Sequence, residues 1–440
     1  MSVEYILLLM CGSLLVLLIT GLPIAFVLGF LGIVFGYFFW GPHAIFLIPA
    51  NVWGTMKSFV LLAVPLFVLM ASLLQKSGII EDLYNVMHHW FGPLRGGLTM
   101  GTVAICTVAG AMTGIAGAEV VPMGMIALPE MLKRKFSKTL TIGAIMAGGT
   151  LGQLIPPSLL MILYGAMTGD SIGKLFAGGI TCGLVLSGLY ITYIAIRAGI
   201  NPSLAPPLPR EERAAVSWGQ RFLMLRGIIL PIFVILLVLG SIFAGIATPT
   251  EAAACGVAGA FISAVVRRRM NVRTFVDCAW DSLRIGVMCM WIVMGATIFG
   301  ATFNGIGGYA YISDFITGLE VNRWIVLAIM QLILFLMGCI LDPTAIVLIC
   351  APIFAPLARD VLGFDPIHYG LIFMINMQMS YLTPPFGYCL YYIKGVAPRG
   401  VEMDDIYVAA LPFIGLQATG LVLVAAFAPL AIWLPGILMK

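Results

Sequence analysis

The chain has 440 residues, 61% of them hydrophobic and only 10% charged, with a formal net charge of +4 and a mean hydropathy of +1.08. Ordinary soluble domains carry about a quarter charged residues, so this composition excludes a water-soluble chain and points to a helical membrane protein. Long unbroken apolar runs such as residues 7–40 also exclude a transmembrane β-barrel, whose strands alternate in short segments.

Hydrophobic runs fall, in chain order, over residues 4–21, 22–40, 57–75, 96–112, 117–132, 139–151, 156–168, 176–198, 222–246, 249–266, 279–303, 323–341, 344–359, 367–382, 385–397 and 405–434. A span needs about 20 residues, and several runs are too short. The short ones come in pairs separated by Gly, Pro and Thr. This spacing predicts two re-entrant helical hairpins, about 96–132 and 323–359, and two broken helices, about 139–168 and 367–397. The start, MSVEYILLLM, has no basic n-region and no small-residue cleavage site, and reads as a retained first span. The nine Cys form no C-x-x-C pair and read as spectator thiols. Residues 201–221 read as a cytoplasmic linker between a first half, 1–200, and a second, 222–440.

Threaded this way, most of the 23 Lys and Arg gather on one side, among them Lys76, Arg95, Lys133, Lys138, Arg197, Arg210, Arg213, Arg221, Arg226 and Arg267 to Arg269. The other side holds Lys57, Lys174, Arg323, Arg359 and Lys440. The rich side is cytoplasmic by the positive-inside rule. The expectation is a multi-pass inner-membrane protein with both termini facing outward.

The two halves resemble each other weakly. GTLGQLIPPSLLMILYG in the first matches MQMSYLTPPFGYCLYYIKG in the second, and Pro384 follows Pro156 by 228 residues. At that offset the tip Thr113-Gly114-Ile115-Ala116 falls on Leu341-Asp342-Pro343-Thr344. Hairpin then broken helix thus occurs twice, starting on opposite sides, which is an inverted repeat. Interrupted segments at corresponding positions are the best sequence pointer to a transporter binding site. One half-helix ends in free carbonyls, which suit a hard cation. The next begins with free N–H groups and the positive end of a dipole, which suit an anion.

Single residues sharpen this picture. Asp342 is an acidic group at membrane depth, a functional candidate by default. It fits two roles, cation ligand or N-cap of the following arm, with the Thr344 hydroxyl beside it. Glu119 lies beyond the first tip, as a functional group or a local partner. Gly149, Thr150 and Gly152 permit close backbone approach before Pro156-Pro157. Ser158 follows at a helix start, placed to donate to an anion. Asn376 and Thr383 precede Pro384-Pro385. Pro157 and Pro385 open the second half-helices beside the expected substrate. Asn304 either lines the substrate cavity or closes a span end. Glu251 reads as a first-turn residue capped by Thr248 or Thr250. No Ser/His, Asp/Asp or metal-ligand set occurs on facing spans, so an intramembrane enzyme is not expected.

The chain closely resembles the large membrane subunit of tripartite ATP-independent periplasmic (TRAP) transporters. The matching stretches include SFVLLAVPLFVLMASLLQKSGI, IALPEMLKRKFSK, AGGTLGQLIPPSLLMILYGAMTGDSIGKLFAGGI, ATPTEAAACG, ILDPTAIVLICAPIFAPLARDVLGFDPIHYG and INMQMSYLTPPFG, in the family's order across nearly the whole chain. The resemblance implies an all-α, elevator-type transporter with a scaffold and a mobile transport domain. It implies Na⁺ coupling at two sites, a periplasmic substrate-binding protein and a small four-helix membrane subunit, here expected as a separate chain. Carried over by position, one Na⁺ site involves Thr113, Gly114, Gly149, Thr150, Gly152 and Pro156. The other involves Gly338, Asp342, Pro343, Thr344, Met379 and Thr383. Many relatives carry S-G-S-S at the first tip. Here it reads T-G-I-A, so backbone carbonyls must supply more of that site. Sialic-acid members place an Arg near the cavity, and Ala301 to Gly305 holds no equivalent. The function expected is uptake of a small organic anion, a carboxylate or sulfonate. The alternative is a stand-alone ion-coupled anion transporter or exporter of the same superfamily.

Overall fold

The computed structural model describes residues 2–207, 219–220, 226–318 and 321–439. Most of the expected linker, 208–218 and 221, lies outside the described residues, as do Arg210, Arg213 and Lys440. The described chain is helical: α1 (Val3–Ile19), α2 (Ile24–Phe35), α3 (Ala44–Met56), α4 (Ala63–Lys76), α5 (Ile79–Phe91), α6 (Gly97–Thr113), α7 (Val120–Lys133), α8 (Lys138–Thr150), α9 (Leu159–Thr168) and α10 (Ile172–Ile200). Then come α11 (Arg226–Phe243), α12 (Pro249–Val266), α13 (Val272–Gly305), α14 (Gly308–Gly318), α15 (Arg323–Gly338), α16 (Pro343–Pro356), α17 (Pro366–Ser380), α18 (Tyr388–Val396), α19 (Met403–Ala426) and α20 (Pro429–Leu438). Among the described residues, 6 helical segments are long and apolar enough to cross a membrane.

The apolar runs became helices, with instructive differences. α3 holds Pro49 and Asn51, too polar to register as a hydrophobic run. α5 is amphipathic and buries Ile79, Ile80, Leu83, Tyr84 and Val86, the i, i+3, i+4 stripe of a helix lying against a core. His88 and His89 are on its last turn. The single run 405–434 is two helices, divided at Phe427 and Ala428 before Pro429, because Pro cannot continue a helix but can begin one.

Packing sorts the helices into two sets. α13 lies along α2, α3 and α4, and α12 packs between α4 and α11. In the other set α8 packs against α6, α7 and α19, and α17 against α15 and α19, with α10 touching α6, α17, α19 and α20. At the centre, every residue of α8 from Leu140 to Thr150 and of α17 from Ile367 to Ser380 is buried. A helix buried all round needs apolar or small residues on every face, and both runs have them. These are the two helices that end at the Pro-Pro pairs. Irregular backbone at membrane depth survives only inside protein or beside a cavity, and the first break, residues 151–158, is buried throughout.

Helix starts are set locally. Thr248 and Glu251 form a reciprocal capping box, with the Thr248 N–H donating to Glu251 Oε2 at 2.8 Å, as the sequence suggests. Asp365 Oδ1 accepts from the amides of Ile367 and His368 at 2.9 and 3.0 Å. Such caps stabilise by about 0.5–2 kcal/mol each.

Small residues bring the central pieces together. A Cβ on Gly110 of α6 would sit 2.6 Å from the Cα of Gly152, just beyond α8. Backbone cannot swing aside as a side chain can, and overpacking typically costs about 1–3 kcal/mol. Gly110→Ala should therefore lower the unfolding temperature in detergent. Gly188→Ala, where a Cβ meets nothing within 4 Å, should leave it unchanged. Equal transitions for the two variants would refute the close approach.

Candidate functional site

The first break begins where α6 ends. Gly114 has φ of 63° and its N–H donates to the Gly110 carbonyl at 2.9 Å. Its own carbonyl accepts from Leu159 N at 3.1 Å. A Cβ there would lie 1.8 Å from the Pro157 carbonyl oxygen, so only glycine fits. Thr113 Oγ1 donates to Glu119 Oε1. Glu119 is fully buried, and its Oε2 has no partner. Gly117 N donates to the Gly149 carbonyl at 2.9 Å, tying the tip to the end of α8.

Beyond α8, a 3₁₀ turn over Leu151–Gln153 leads to the cis bond between Pro156 and Pro157. Ser158 caps α9: its hydroxyl donates to the Gln153 carbonyl and accepts from Met161 N. The α8 end is closed from across the core. Gln378 Nε2 of α17 donates to the Thr150 carbonyl at 3.1 Å. Gln417 Nε2 of α19 donates to Thr150 Oγ1 at 3.2 Å.

The second break has the same parts. α15 ends at Gly338, where a Cβ would meet Ser380 Oγ at 2.0 Å. Asp342 caps α16, its Oδ2 accepting from Thr344 N at 3.0 Å, with Pro343 at the first helical position. The Met379 carbonyl accepts from Thr383 Oγ1 at 2.7 Å and from Leu382 N at 3.0 Å. Pro384-Pro385 is also cis.

Both tips and both breaks surround one cavity of about 690 Å³. The first tip contributes Gly114, Ile115 and Ala116, and the second contributes Asp342 and Thr344. The breaks contribute Gln153 and Leu160 on one side and Tyr381, Tyr388 and Tyr392 on the other. The opposite wall is Pro23 to Phe26, where α2 begins, and the α13 stretch from Ile285 to Ile292. A second cavity of about 640 Å³ shares Ile115, Ala116, Ile285 and Tyr392 with the first and reaches Lys76, Glu81 and Arg284.

The residues singled out from sequence therefore divide. Gly114, Asp342 and Thr344 line the cavity. Thr113, Gly149, Thr150, Gly152, Pro156 and Pro157 stand behind the first tip, and Gly338, Pro343, Met379 and Thr383 behind the second. Others stand apart. Asn376 donates to the carbonyl and side chain of Gln331 at 2.7 and 2.8 Å, between α15 and α17 and off the cavity wall. Asn304 is exposed on the last turn of α13, and its carbonyl accepts from Gly307 N at 3.0 Å. α13 runs on past the cavity, so Asn304 sits about 18 Å along the helix from Ile292 and closes the span end. The Ser158 hydroxyl donates inward, to protein. The exposed Pro385 offers its carbonyl to Tyr391 OH at 2.8 Å. The sequence reading overlooked Gln153, Tyr381, Tyr388 and Tyr392. Gln153 carried a signal, an amide inside an apolar run at membrane depth. The tyrosines carried none, because a tyrosine in such a run usually packs in the core or at the interface.

A family model described as the tripartite ATP-independent periplasmic transporter, DctM component, matches residues 11–430. The C4-dicarboxylate TRAP transporter large permease of Pseudomonas aeruginosa is 31% identical over 396 residues, 90% of each chain. The ectoine/5-hydroxyectoine TRAP transporter large permease of Ruegeria pomeroyi is 33% identical over 333 residues, 74% of this chain and 75% of that protein. The crystal structure of the Alcanivorax borkumensis YdaH transporter shares the fold, with a TM-score of 0.64 at 16% identity, over 87% of this chain and 88% of that one.

The clamp on Thr150 is testable. Gln378→Leu keeps the volume and leaves a buried carbonyl without its donor, at a cost of about 1–3 kcal/mol. The variant should unfold at lower temperature than the wild type in the same detergent. An unchanged transition would mean that another group satisfies that carbonyl.

Proposed function

This chain belongs to the DctM component family of tripartite ATP-independent periplasmic transporters, and on that premise we propose that it performs Na⁺-coupled uptake of a small organic anion by an elevator-type movement. It is a multi-pass membrane subunit, and large permeases of this family work with a small membrane subunit and a periplasmic binding protein. The observation that carries the reading is the cavity where both tips and both breaks converge. Helix ends at such a place offer carbonyls to a cation and N–H groups to an anion.

In this reading the two halves are inverted repeats, and the hairpins are re-entrant. The set containing α6 to α10 and α15 to α20 moves as the transport domain. α2 and α13, which form the far wall, belong to the scaffold. The binding protein hands the anion to the outward-open cavity, in the bacterial inner membrane. Na⁺ at the helix ends orders the tips, and the transport domain then crosses and releases both solutes inside. The second cavity, which shares Ile115, Ala116, Ile285 and Tyr392 with the first and reaches Lys76 and Arg284, supports reading this conformation as open to the cytoplasm. That is the basic side under the positive-inside rule.

Na⁺ is a co-substrate here. Asp342 faces the cavity and already caps α16, so capping and ligation are compatible roles. Gly338 and Ser380 abut behind it, and Ser380 Oγ has no other partner. At the first tip the Gly114, Gly149 and Thr150 carbonyls each already accept a protein donor. A carbonyl has two lone pairs, so these can still serve a cation.

Asp342 decides the test. Asp342→Ala, reconstituted in proteoliposomes with the small subunit and the binding protein, should lower Na⁺-driven uptake at least about tenfold, equivalent to about 1.4 kcal/mol. Wild-type rates with unchanged Na⁺ dependence would remove Asp342 from the mechanism.

A further inference from the structure

The cavity is built in a way that selects among organic anions. Its lining includes no Lys, Arg or His among the described residues, and its one charged side chain is a carboxylate, Asp342. A second carboxylate, Glu119, is fully buried behind the first tip. A Na⁺ at the second tip would be met by Asp342, and no cationic side chain on this wall remains to pair a solute's charges. A solute with two carboxylates would therefore bury at least one without a partner, and unpaired buried charge is strongly disfavoured.

One polar group on the wall is unspoken for. Gln153 is 2% exposed, lines the cavity, and neither its Nε2 nor its Oε1 has a hydrogen-bond partner. Buried amides in native proteins nearly always have partners, so an unpaired one on a cavity wall is a place where a ligand supplies them. It stands beside the start of α9, a helix of 10 residues whose Leu159 and Leu160 also line the cavity. Leu159 N is spent on Gly114 and Met161 N on Ser158. Leu160, the next residue of that first turn, lines the cavity as Gln153 does, so in this reading its amide is the second donor beside Gln153 Nε2. Two neutral donors match one oxyanion group. The rest of the wall is aromatic: Phe26, Trp291, Tyr381, Tyr388 and Tyr392, with the last two stacked at 6.2 Å between centroids. Such faces accept an apolar body or a cationic centre.

We propose that the solute carries a single carboxylate or sulfonate, held by Gln153 and the α9 N-terminus, on an apolar or cationic body that lies against the tyrosines. The permease would then discriminate against dicarboxylates, unlike the substrates named for several of its relatives. This inference rests on the organic-anion reading above and narrows it. Gln153 acts in it as a specificity residue.

The test uses the chain purified with its small subunit, in saturating Na⁺. Thermal unfolding is followed with butyrate, pyruvate, isethionate and ectoine, each carrying one oxyanion group, and with succinate and 2-oxoglutarate, each carrying two. At least one single-anion probe should stabilise the protein with an apparent Kd about tenfold or more below those of both dicarboxylates. Gln153→Ala should weaken that probe by about tenfold to a hundredfold, the range for a hydrogen bond to a charged group. Its Na⁺-dependent shift should be kept, which shows that the variant folds. Met288, on the cavity wall and 53% exposed, allows the converse experiment. Met288→Arg should strengthen succinate binding about tenfold, and no gain would defeat the charge argument. Tighter binding of succinate or 2-oxoglutarate to the wild type would overturn the inference and leave the organic-anion reading standing. No shift from any of the six probes would overturn both.

Discussion

Hydrocarbon offers no hydrogen bonds, so every helix that stops inside a membrane must settle its backbone within the protein. That constraint organises this molecule. α8 and α17 stop at depth, and both are buried along nearly their whole length. The buried end of α8 is closed by two glutamine side chains from other helices, Gln378 and Gln417. The tip at Gly114 presses so closely on Pro157 that no side chain fits. The first break is buried from 151 to 158, whereas the second opens at Pro385 and Phe386, and the helix ends beside both meet at the cavity that Gly114, Gln153, Asp342 and Tyr388 share. The site follows from the cost of ending helices in lipid.

The cavity also joins the two packing sets. One wall comes from the tips and breaks, the other from α2 and α13. If the two sets move relative to each other, as we propose, the solute travels with the first wall and leaves the second behind. Chemistry on the moving wall then fixes what is carried. That wall holds Asp342, Gln153 and three tyrosines, whereas α2 and α13 contribute apolar and aromatic cover. On the same proposal, relatives named for different substrates would differ in a few side chains on the tips and breaks.

Much of this was legible in the sequence, for reasons that differ by residue. Pro156-Pro157, Pro384-Pro385 and the Gly-rich tips stand out because such residues interrupt apolar runs that would otherwise be helix. Their positions 228 residues apart suggest two related halves, and Gln378 donates to Thr150 at that same separation. Asp342 was conspicuous as an acid at depth. Less was visible where tertiary placement decides. Asn304 left two readings open by its nearness to the second hairpin, and α13 carries it past the cavity to the span end. Asn376 precedes the second break, yet α17 turns it toward Gln331. Tyr388 and Tyr392 meet Trp291 across one cavity although a hundred residues or so separate them, and no local pattern announces that. α3 and α5 escaped a reading tuned to long apolar runs, because their apolar residues form stripes or are broken by polar ones.

The central claim is that cations at the helix ends hold the two tips in order. Thermal unfolding of the chain with its small subunit, in Na⁺, K⁺ and choline at equal ionic strength, tests it without any solute. Stabilisation by a bound ion grows as RT ln(1 + [L]/Kd), about 2.7 kcal/mol at a hundredfold excess over Kd. The account predicts a saturable upward shift in Na⁺ and none in K⁺ or choline. Identical transitions in all three salts would contradict it.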